Sequence, residues 1–529
     1  MHSRHDCLFF SHQTPAAAGE VSNAVETFRL RSVVTGSVPL TLPGLLALRA
    51  RQDAGRTAIE VAGVGAITFG EWDERAGRIA GALVRRGVAP GERVGLLFGE
   101  RDWIGYAVAW AGVLRSGCVA VPLSDRLAPA EVRHAFTDCA VAAVVHAPGL
   151  EPPDVGGWRA TPADLEDTGP GVAGEARRVL PGELAQIIYT SGTTGRAKGV
   201  GATHANLAHG VDPGPRRRKL AHSRHFLHAF PIGSNAGQTM LVNALDARPA
   251  ALTLPRFTPG RFARLIESYR AGTVFVVPAM AIELLNARVH ERHDLTCVRL
   301  LGSTAAGLPP AVAAGLAEAF PKAAIVNYYT STEAAPAQTV MIVDPARPAS
   351  VGRPASGGEL KVVRPDGSPA APGEQGEIWL RSPAGPRAYY GDRRLTGEVF
   401  RDGWVRMGDV GHLDRDGYLY LADREDDVIK SGAFKVSTLQ VEAALYEHPA
   451  VAEAAVVGLP HPVLGRVPAA AVVARGPLSA ADLREFLLDR LALHELPGRL
   501  LFVGELPRNH LGKVVKPRLL DLLTQEERP

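Results

Sequence analysis

Hydrophobic and polar positions follow one rhythm over the first three fifths of the chain and another afterwards. From Leu42 to about Leu300, segments with helical spacing alternate with short apolar runs. The spacing predicts helices over 76–86 and 103–115, and strands over 93–98, 118–121 and 141–145. Alternation of this kind predicts α/β layers around largely parallel sheets. From about Val351 the runs shorten and alternate with Gly and Pro turns, as in 359–363, Pro365-Asp366-Gly367 and 376–380. That texture predicts a β-rich subdomain of about 350–425, built as a small barrel. Beyond it the pattern mixes again, with helices predicted over 438–446 and 480–491.

Length and charge narrow the class. At 529 residues the chain exceeds what one core organises, so more than one domain is expected. The 58 Lys and Arg nearly balance the 55 Asp and Glu, leaving +3, so no nucleic-acid partner is expected. The cluster Arg216-Arg217-Arg218-Lys219 reads as a solvated loop. Cys7, Cys118, Cys139 and Cys297 have neither metal-ligand spacing nor a disulfide framework, as in a reduced cytoplasmic protein. Residues 1–40 read as a loosely ordered leader, and Leu8-Phe9-Phe10 is too short for a signal-peptide core. No window approaches the roughly 20 apolar residues of a membrane span, so a soluble protein is expected.

Candidate chemistry is densest in Tyr189-Thr190-Ser191-Gly192-Thr193-Thr194-Gly195-Arg196-Ala197-Lys198-Gly199, directly after the apolar run 184–188. Glycines let such a loop turn sharply, and its amides and hydroxyls point hydrogen-bond donors inward. With Lys198 as a point charge it suits a polyphosphate. It lacks the closing Gly-Lys-Ser/Thr of a P-loop.

The wording of this loop resembles the phosphate-loop signature of the adenylate-forming superfamily, which comprises acyl-CoA synthetases, aryl-CoA ligases, luciferases and peptide-synthetase adenylation domains. Further segments match in the family's order from about residue 40 to about 520. They include Asn327-Tyr328-Tyr329-Thr330-Ser331-Thr332-Glu333, similar to Tyr-Gly-x-Thr-Glu, and Met407-Gly408-Asp409, similar to Thr-Gly-Asp. Asp423-Arg424-Glu425-Asp426 and Pro507-Arg508-Asn509-His510-Leu511-Gly512-Lys513 complete the series.

The resemblance implies a large N-terminal domain, 1–425, of two α/β subdomains plus a β-barrel. A mobile C-terminal domain, 426–529, would follow a hinge at Asp426. The reaction implied joins a carboxylate to ATP as acyl-AMP, then passes the acyl group to CoA. Mg²⁺ would be held by Glu333, an oxygen ligand of the kind this ion prefers. Thr190, Ser191, Gly192, Thr193, Thr194, Gly195 and Lys198 would hold phosphates, and Thr332 the α-phosphate. Thr304, Ala305, Ala306, Asn327, Tyr328 and Tyr329 would line the adenine and acyl pockets. Asp409 would accept both ribose hydroxyls, with Arg424 alongside, and Lys513 would serve adenylation as the catalytic lysine. Lys430, Gly432 and Ala433 fall in the loop that forms the thiol tunnel, where Ala433 replaces a frequent glycine.

For the acid, Pro231, Gly233, Ser234, Asn235, Gly237 and Thr330 are expected to shape the pocket. Gly233 and Ser234 stand where relatives place an aromatic ring and a His, which predicts a wide cavity and a bulky hydrophobic acid, whether polycyclic terpenoid, steroid-type or fatty. With Asn235 in place of an Asp, an α-amino acid is disfavoured. Two alternatives remain: an acyl-AMP ligase that loads a carrier protein, and a non-catalytic adenylate-binding homologue.

Overall fold

The computed structural model describes residues 40–167, 177–190, 197–216, 218–424, 427–432, 434–509 and 512–525. Three sheets organise it. A seven-stranded sheet carries, in order, Ala388–Tyr389, Lys198–Thr203, Leu184–Thr190, Val119–Ser124, Arg93–Phe98, Ala143–His146 and Trp158–Ala160. Its Arg93–Phe98 strand pairs in parallel with both neighbours and is buried from Val94 onward. The helix Trp103–Arg115 covers it, apolar almost all round as a doubly packed helix must be. Helix Phe69–Arg85 starts seven residues before the predicted point, fixed by a capping box of Thr68 and Glu71.

A second sheet, of fourteen strands, runs through the parallel strands His225–His228, Thr273–Val276, Leu300–Ser303 and Ala324–Tyr329. It continues edge to edge through Thr339–Ile342 and Ser350–Pro354 into the antiparallel strands Leu419–Arg424, Trp404–Leu413, Gly376–Arg381 and Glu359–Val363. The expected β-rich subdomain is therefore present as an extension of the large sheet, and the described pairings do not close it into a barrel.

A smaller C-terminal unit has a five-stranded sheet in which Val451–His461 and Gly465–Ala474 form the central hairpin. Helices Thr438–Tyr446 and Ala480–Leu488 pack on it around Val441, Leu445, Leu483 and Leu487. Asp423, on the last strand of the large unit, accepts the Thr438 amide at 2.6 Å and so joins the first of these helices. The proposed hinge residue Asp426 and the leader lie outside the described residues.

Among the described residues no helix is long and apolar enough to cross a membrane. Cys118 and Cys139 are buried and unpaired, and Cys297 is partly buried.

One half-buried carboxyl in the small unit gives a test of its packing. Glu442 accepts the Val456 amide at 2.9 Å, and burial pushes its pKa up to about 7, with Lys516 opposing. A carboxyl whose folded pKa is raised loses stability as pH rises from its unfolded value, about 4.5, through 7. Glu442→Gln keeps an acceptor without the charge. It is expected to raise the melting temperature at pH 8 more than at pH 5, a gain of about 1–2 kcal/mol after solvent screening. Equal shifts at both pH values would place the raised pKa elsewhere.

Candidate active site

The strands that flank the glycine-rich segment pair with each other. Leu184–Thr190 and Lys198–Thr203 pair antiparallel with Thr190 opposite Lys198, so the lysine begins the return strand. Ser191, Gly192, Thr193, Thr194 and Gly195 lie outside the described residues. Beneath the hairpin His134 Nε2 lies 3.1 Å from the Ala197 carbonyl, and Tyr189 donates to Asp138 at 2.5 Å.

On the other edge of the Lys198 strand, Tyr389 pairs with Val200. Its ring lies 5.8 Å from the Lys198 ammonium, and its hydroxyl donates to Glu333 Oε1 at 3.0 Å. Burial, with the Glu333 carboxylate, pushes the Tyr389 phenol up, which keeps it a donor. This short strand thus brings the loop lysine and the acidic end of the Tyr329–Glu333 segment into one neighbourhood.

Arg387, two residues earlier, is a functional candidate that sequence reasoning missed. Its side chain is buried and donates to Asn206 Oδ1 at 2.9 Å, Asn235 Oδ1 at 3.0 Å and the Thr332 carbonyl at 2.8 Å. Burial lowers its pKa to about 10, with Glu333 opposing, so it remains a cation near neutrality. One guanidinium therefore ties the Thr332–Glu333 turn to the start of helix Asn235–Asp246. In sequence it is a lone Arg in a turn, with no spacing to signal its role.

A cavity of about 330 Å³ opens beside this turn. Pro231, Ser234, Asn235, Thr304, Ala305, Tyr328, Thr330, Thr332 and Lys513 line it, together with His209, Lys219, Met240, Asn243, Phe275 and Gln338. Three lining residues, Leu220, Ala305 and Ser356, hold left-handed backbone at φ 57°, 75° and 57°. Non-glycine residues seldom adopt this conformation outside constrained sites.

Lys513 arrives from the C-terminal unit on a tight hairpin. The Asn509 amide donates to the Lys513 carbonyl at 2.8 Å, and Val515 donates to Pro507 at 2.8 Å. Gly512 sits at φ 78° in the turn, which explains the glycine before the lysine. Arg508 clamps the hairpin, bonding the Gly512 carbonyl and Glu453, each at 2.8 Å.

Asp409 and Tyr329 meet at the border of the large unit, the phenol donating to the carboxylate at 2.5 Å. Arg424 pairs with Asp409 in strand register, and Met407 Sδ lies 3.9 Å from Ser331 Oγ.

Other expected residues stand apart from the cavity lining. Asn327 is buried in its strand, and its Oδ1 has no hydrogen-bond partner among the described residues. Ala306 is exposed beside Ala305. Lys430 lies on the small sheet and Gly432 in the turn after its strand, with the Gly432 amide bonded to the Leu464 carbonyl at 2.8 Å, and Ala433 is outside the described residues.

The pocket-widening argument fails at its glycine. A Cβ at Gly233 would meet the backbone of Ser124 at 3.1 Å and of Leu123 at 3.4 Å, so this position packs against a strand instead of opening the cavity. Gly237 is closed too, with a Cβ there falling 2.2 Å from the Pro231 carbonyl. Ser234 serves as the helix cap, accepting the Gly237 amide at 2.9 Å. The basic run is also corrected. The Arg218 side chain is buried against Gln52 and Asp53, and the half-exposed Lys219 pairs with Asp246 and lines the cavity, so the run is not simply a solvated loop.

Among the described residues no group of three His, Cys, Asp or Glu side chains gathers to hold a metal. A single carboxylate at Glu333 fits Mg²⁺, which keeps waters and phosphate oxygens as its other ligands.

The cavity is lined by Thr332, beside the Glu333 carboxylate, and by Lys513 from the second unit, an arrangement suited to group transfer on a phosphate. A family model described as AMP-binding enzyme matches residues 46–390, and one described as AMP-binding enzyme C-terminal domain matches 440–513. A feruloyl-CoA synthase of Amycolatopsis sp is 32% identical over 492 residues, covering 88% of this chain and 96% of that protein. Among solved structures, an anthranilate CoA ligase in complex with anthranoyl-AMP superposes with TM-score 0.83 at 23% identity, over 93% of this chain and 98% of that one. The o-succinylbenzoate CoA synthetase of Bacillus subtilis, in complex with its acyl-adenylate intermediate, gives TM-score 0.78 at 25% identity, over 91% and 98%. The chain belongs to the AMP-binding enzyme family, the adenylate-forming acid–thiol ligases.

Proposed function

We propose that this protein is an ATP-dependent acid–CoA ligase acting on an aromatic carboxylic acid. The observation that carries the reading is the convergence of Lys513, from the small unit, with Thr332 and Thr304–Ala305 of the large unit on one cavity.

In the first half-reaction a carboxylate oxygen attacks the α-phosphorus of ATP. The bond to the bridging oxygen breaks, and pyrophosphate leaves with the electron pair. Charge gathers on the oxygens around phosphorus, so cations fixed beforehand stabilise it. Lys513 is placed to serve the carboxylate and α-phosphate oxygens, Lys198 the phosphates, and Thr332 the α-phosphate. Glu333 would hold Mg²⁺, which when bound would neutralise charge at the phosphates. Asp409 holds the ribose, and Tyr329, bonded to it, fixes its orientation. In the second half-reaction the thiol sulfur attacks the acyl carbon, loses its proton and releases AMP. Lys430, Gly432 and Ala433 are proposed to border the thiol's path, and Asp426 to act as the hinge between an N-terminal domain 1–425 and the remainder.

An aromatic acid is favoured over a polycyclic one on two grounds. Phe230, Phe275 and Tyr328 supply flat apolar walls. The feruloyl-CoA synthase and the o-succinylbenzoate synthetase, by name, take aromatic acids.

The test is acyl-CoA formation, followed by mass spectrometry, across aryl, fatty and polycyclic acids with ATP, Mg²⁺ and CoA. Aryl-CoA is expected, with one AMP and one pyrophosphate per turn. Turnover of fatty or polycyclic acids alone would overturn the aromatic assignment. Acyl-AMP without acyl-CoA would move the acceptor to a carrier-protein thiol, and no acyl-AMP with any acid would leave a non-catalytic binder.

A further inference from the structure

A row of polar side chains lines part of the cavity. Helix Asn235–Asp246 sends Asn235, Thr239 and Asn243 into it, a spacing of four that stacks them on one helix face. His209, Gln338 and Ser356 also line the cavity. The stripe leads to Lys219, whose ammonium lies 2.7 Å from Asp246 Oδ2 at the last residue of the helix. The Asp246 side chain is only 2% exposed against 45% for Lys219, so the carboxylate is a fixed anchor that holds the ammonium at the cavity. The backbone there is fastened too. The Arg248 amide donates to the Lys219 carbonyl at 2.9 Å, and Leu220, next in sequence, also lines the cavity.

The charge count around Lys219 is unbalanced. Arg49, Arg56 and Arg218 share one carboxylate, Asp53, while Lys219 takes Asp246. Four cations thus face two anions, and Lys219 is the one of the four that lines the cavity. An ammonium has three donors, so pairing with Asp246 leaves donors for a ligand oxygen.

The geometry also places the two ends of the acid. Asn235 is bonded to Arg387, which holds Thr332 at the reacting end. Asn243 lies eight residues further, about 12 Å along the helix axis. An aromatic ring with a short spacer spans that interval once the lysine side chain reaches inward.

We propose that the acid carries a second anionic oxygen, a carboxylate or phenolate, at the end remote from the reacting carboxyl, and that Lys219 binds it with Asn243 beside it. This rests on the ligase reading above and narrows its substrate class. Because Lys219 is half exposed, the effect is a selectivity of about tenfold, as for a screened charge pair, and not an absolute requirement.

The experiment is calorimetric titration, in the presence of a non-hydrolysable ATP analogue, of two aryl acids that differ only in a distal carboxylate or a distal methyl group. Wild-type protein is expected to bind the distal carboxylate at least about tenfold more tightly. Lys219→Met is expected to erase that ratio, and Lys219→Arg to restore part of it. A distal-hydroxyl acid titrated on either side of its phenol pKa separates phenolate from carboxylate as the source of the anionic oxygen. Absence of preference in the wild type, or a preference that survives in Lys219→Met, overturns the proposal. The wild-type ratio decides even if a variant fails to fold. Binding is read apart from turnover, so an enzyme that shows the preference without forming acyl-AMP would sink the ligase reading and leave the anion site standing.

Discussion

Lys513→Ala is expected to slow acyl-adenylate formation by about 10²–10³-fold, the range for removing one fixed charge-stabilising donor. Thioester formation from preformed acyl-AMP should stay within about threefold of wild type, because that step attacks the acyl carbon and needs no attack at the α-phosphorus. The Lys513 hairpin is held by backbone bonds and by Arg508, none of them made by the ammonium. Single-turnover pyrophosphate release measures the first step, and acyl-AMP supplied directly measures the second. Pyrophosphate release near the wild-type rate would remove Lys513 from adenylation, and equal losses in both steps would mark a folding defect or a general binding role.

The second large effect is expected at Arg387. Arg387→Met keeps the apolar stem but strands Asn206 Oδ1, Asn235 Oδ1 and the Thr332 carbonyl around a buried methyl group. Unpaired buried acceptors of this kind cost about 1–3 kcal/mol each before relaxation. A loss of about 2–4 kcal/mol in stability is expected, since Asn206 keeps its donations to Ala335 and Gly385 at 3.2 Å. The turn that carries Thr332 and Glu333 loses its fixed position, so adenylation should fall about 10²-fold even at temperatures where the protein stays folded. Melting temperature and pyrophosphate release separate the two. A destabilised variant with wild-type adenylation would show that the guanidinium holds only the fold.

Periodicity made much of the scaffold legible. The strand 93–98 and the helices 103–115 and 438–446 were readable to the residue, because long apolar runs with clear ends leave little choice. The helix at 69 was read late, since its cap lies in Thr68 and Glu71 and not in the apolar stripe. The large sheet's continuation into the C-terminal β-rich region could not be read, because edge-to-edge pairing is set by tertiary packing and leaves no local pattern.

For the site, motif wording brought Thr304, Tyr328, Thr332 and Lys513 to one cavity. Side chains that act through distant partners left no such trace. Lys219 sits in a basic run that mimics a solvated loop, and its meaning appears only when Asp246 folds beneath it. Gly233 misled in the opposite sense: a glycine that seemed to make room is required because a strand backbone already fills that room. A glycine in a sequence does not reveal which neighbour comes close.

The helix that walls the acid end sets a pattern for how this catalyst diverges. Of its three inward polar positions, Asn235 is tied through Arg387 to the reacting turn, so a change there disturbs chemistry as well as choice. Among the described residues the Thr239 hydroxyl bonds its own helix, at the Asn235 carbonyl, and Asn243 lies one turn further along. Substitutions at those two positions alter what fits without touching the turn. On the proposed reading, a change of acid therefore needs substitutions at only these two positions on one helix face, and the contacts of the Thr332 turn stay as they are.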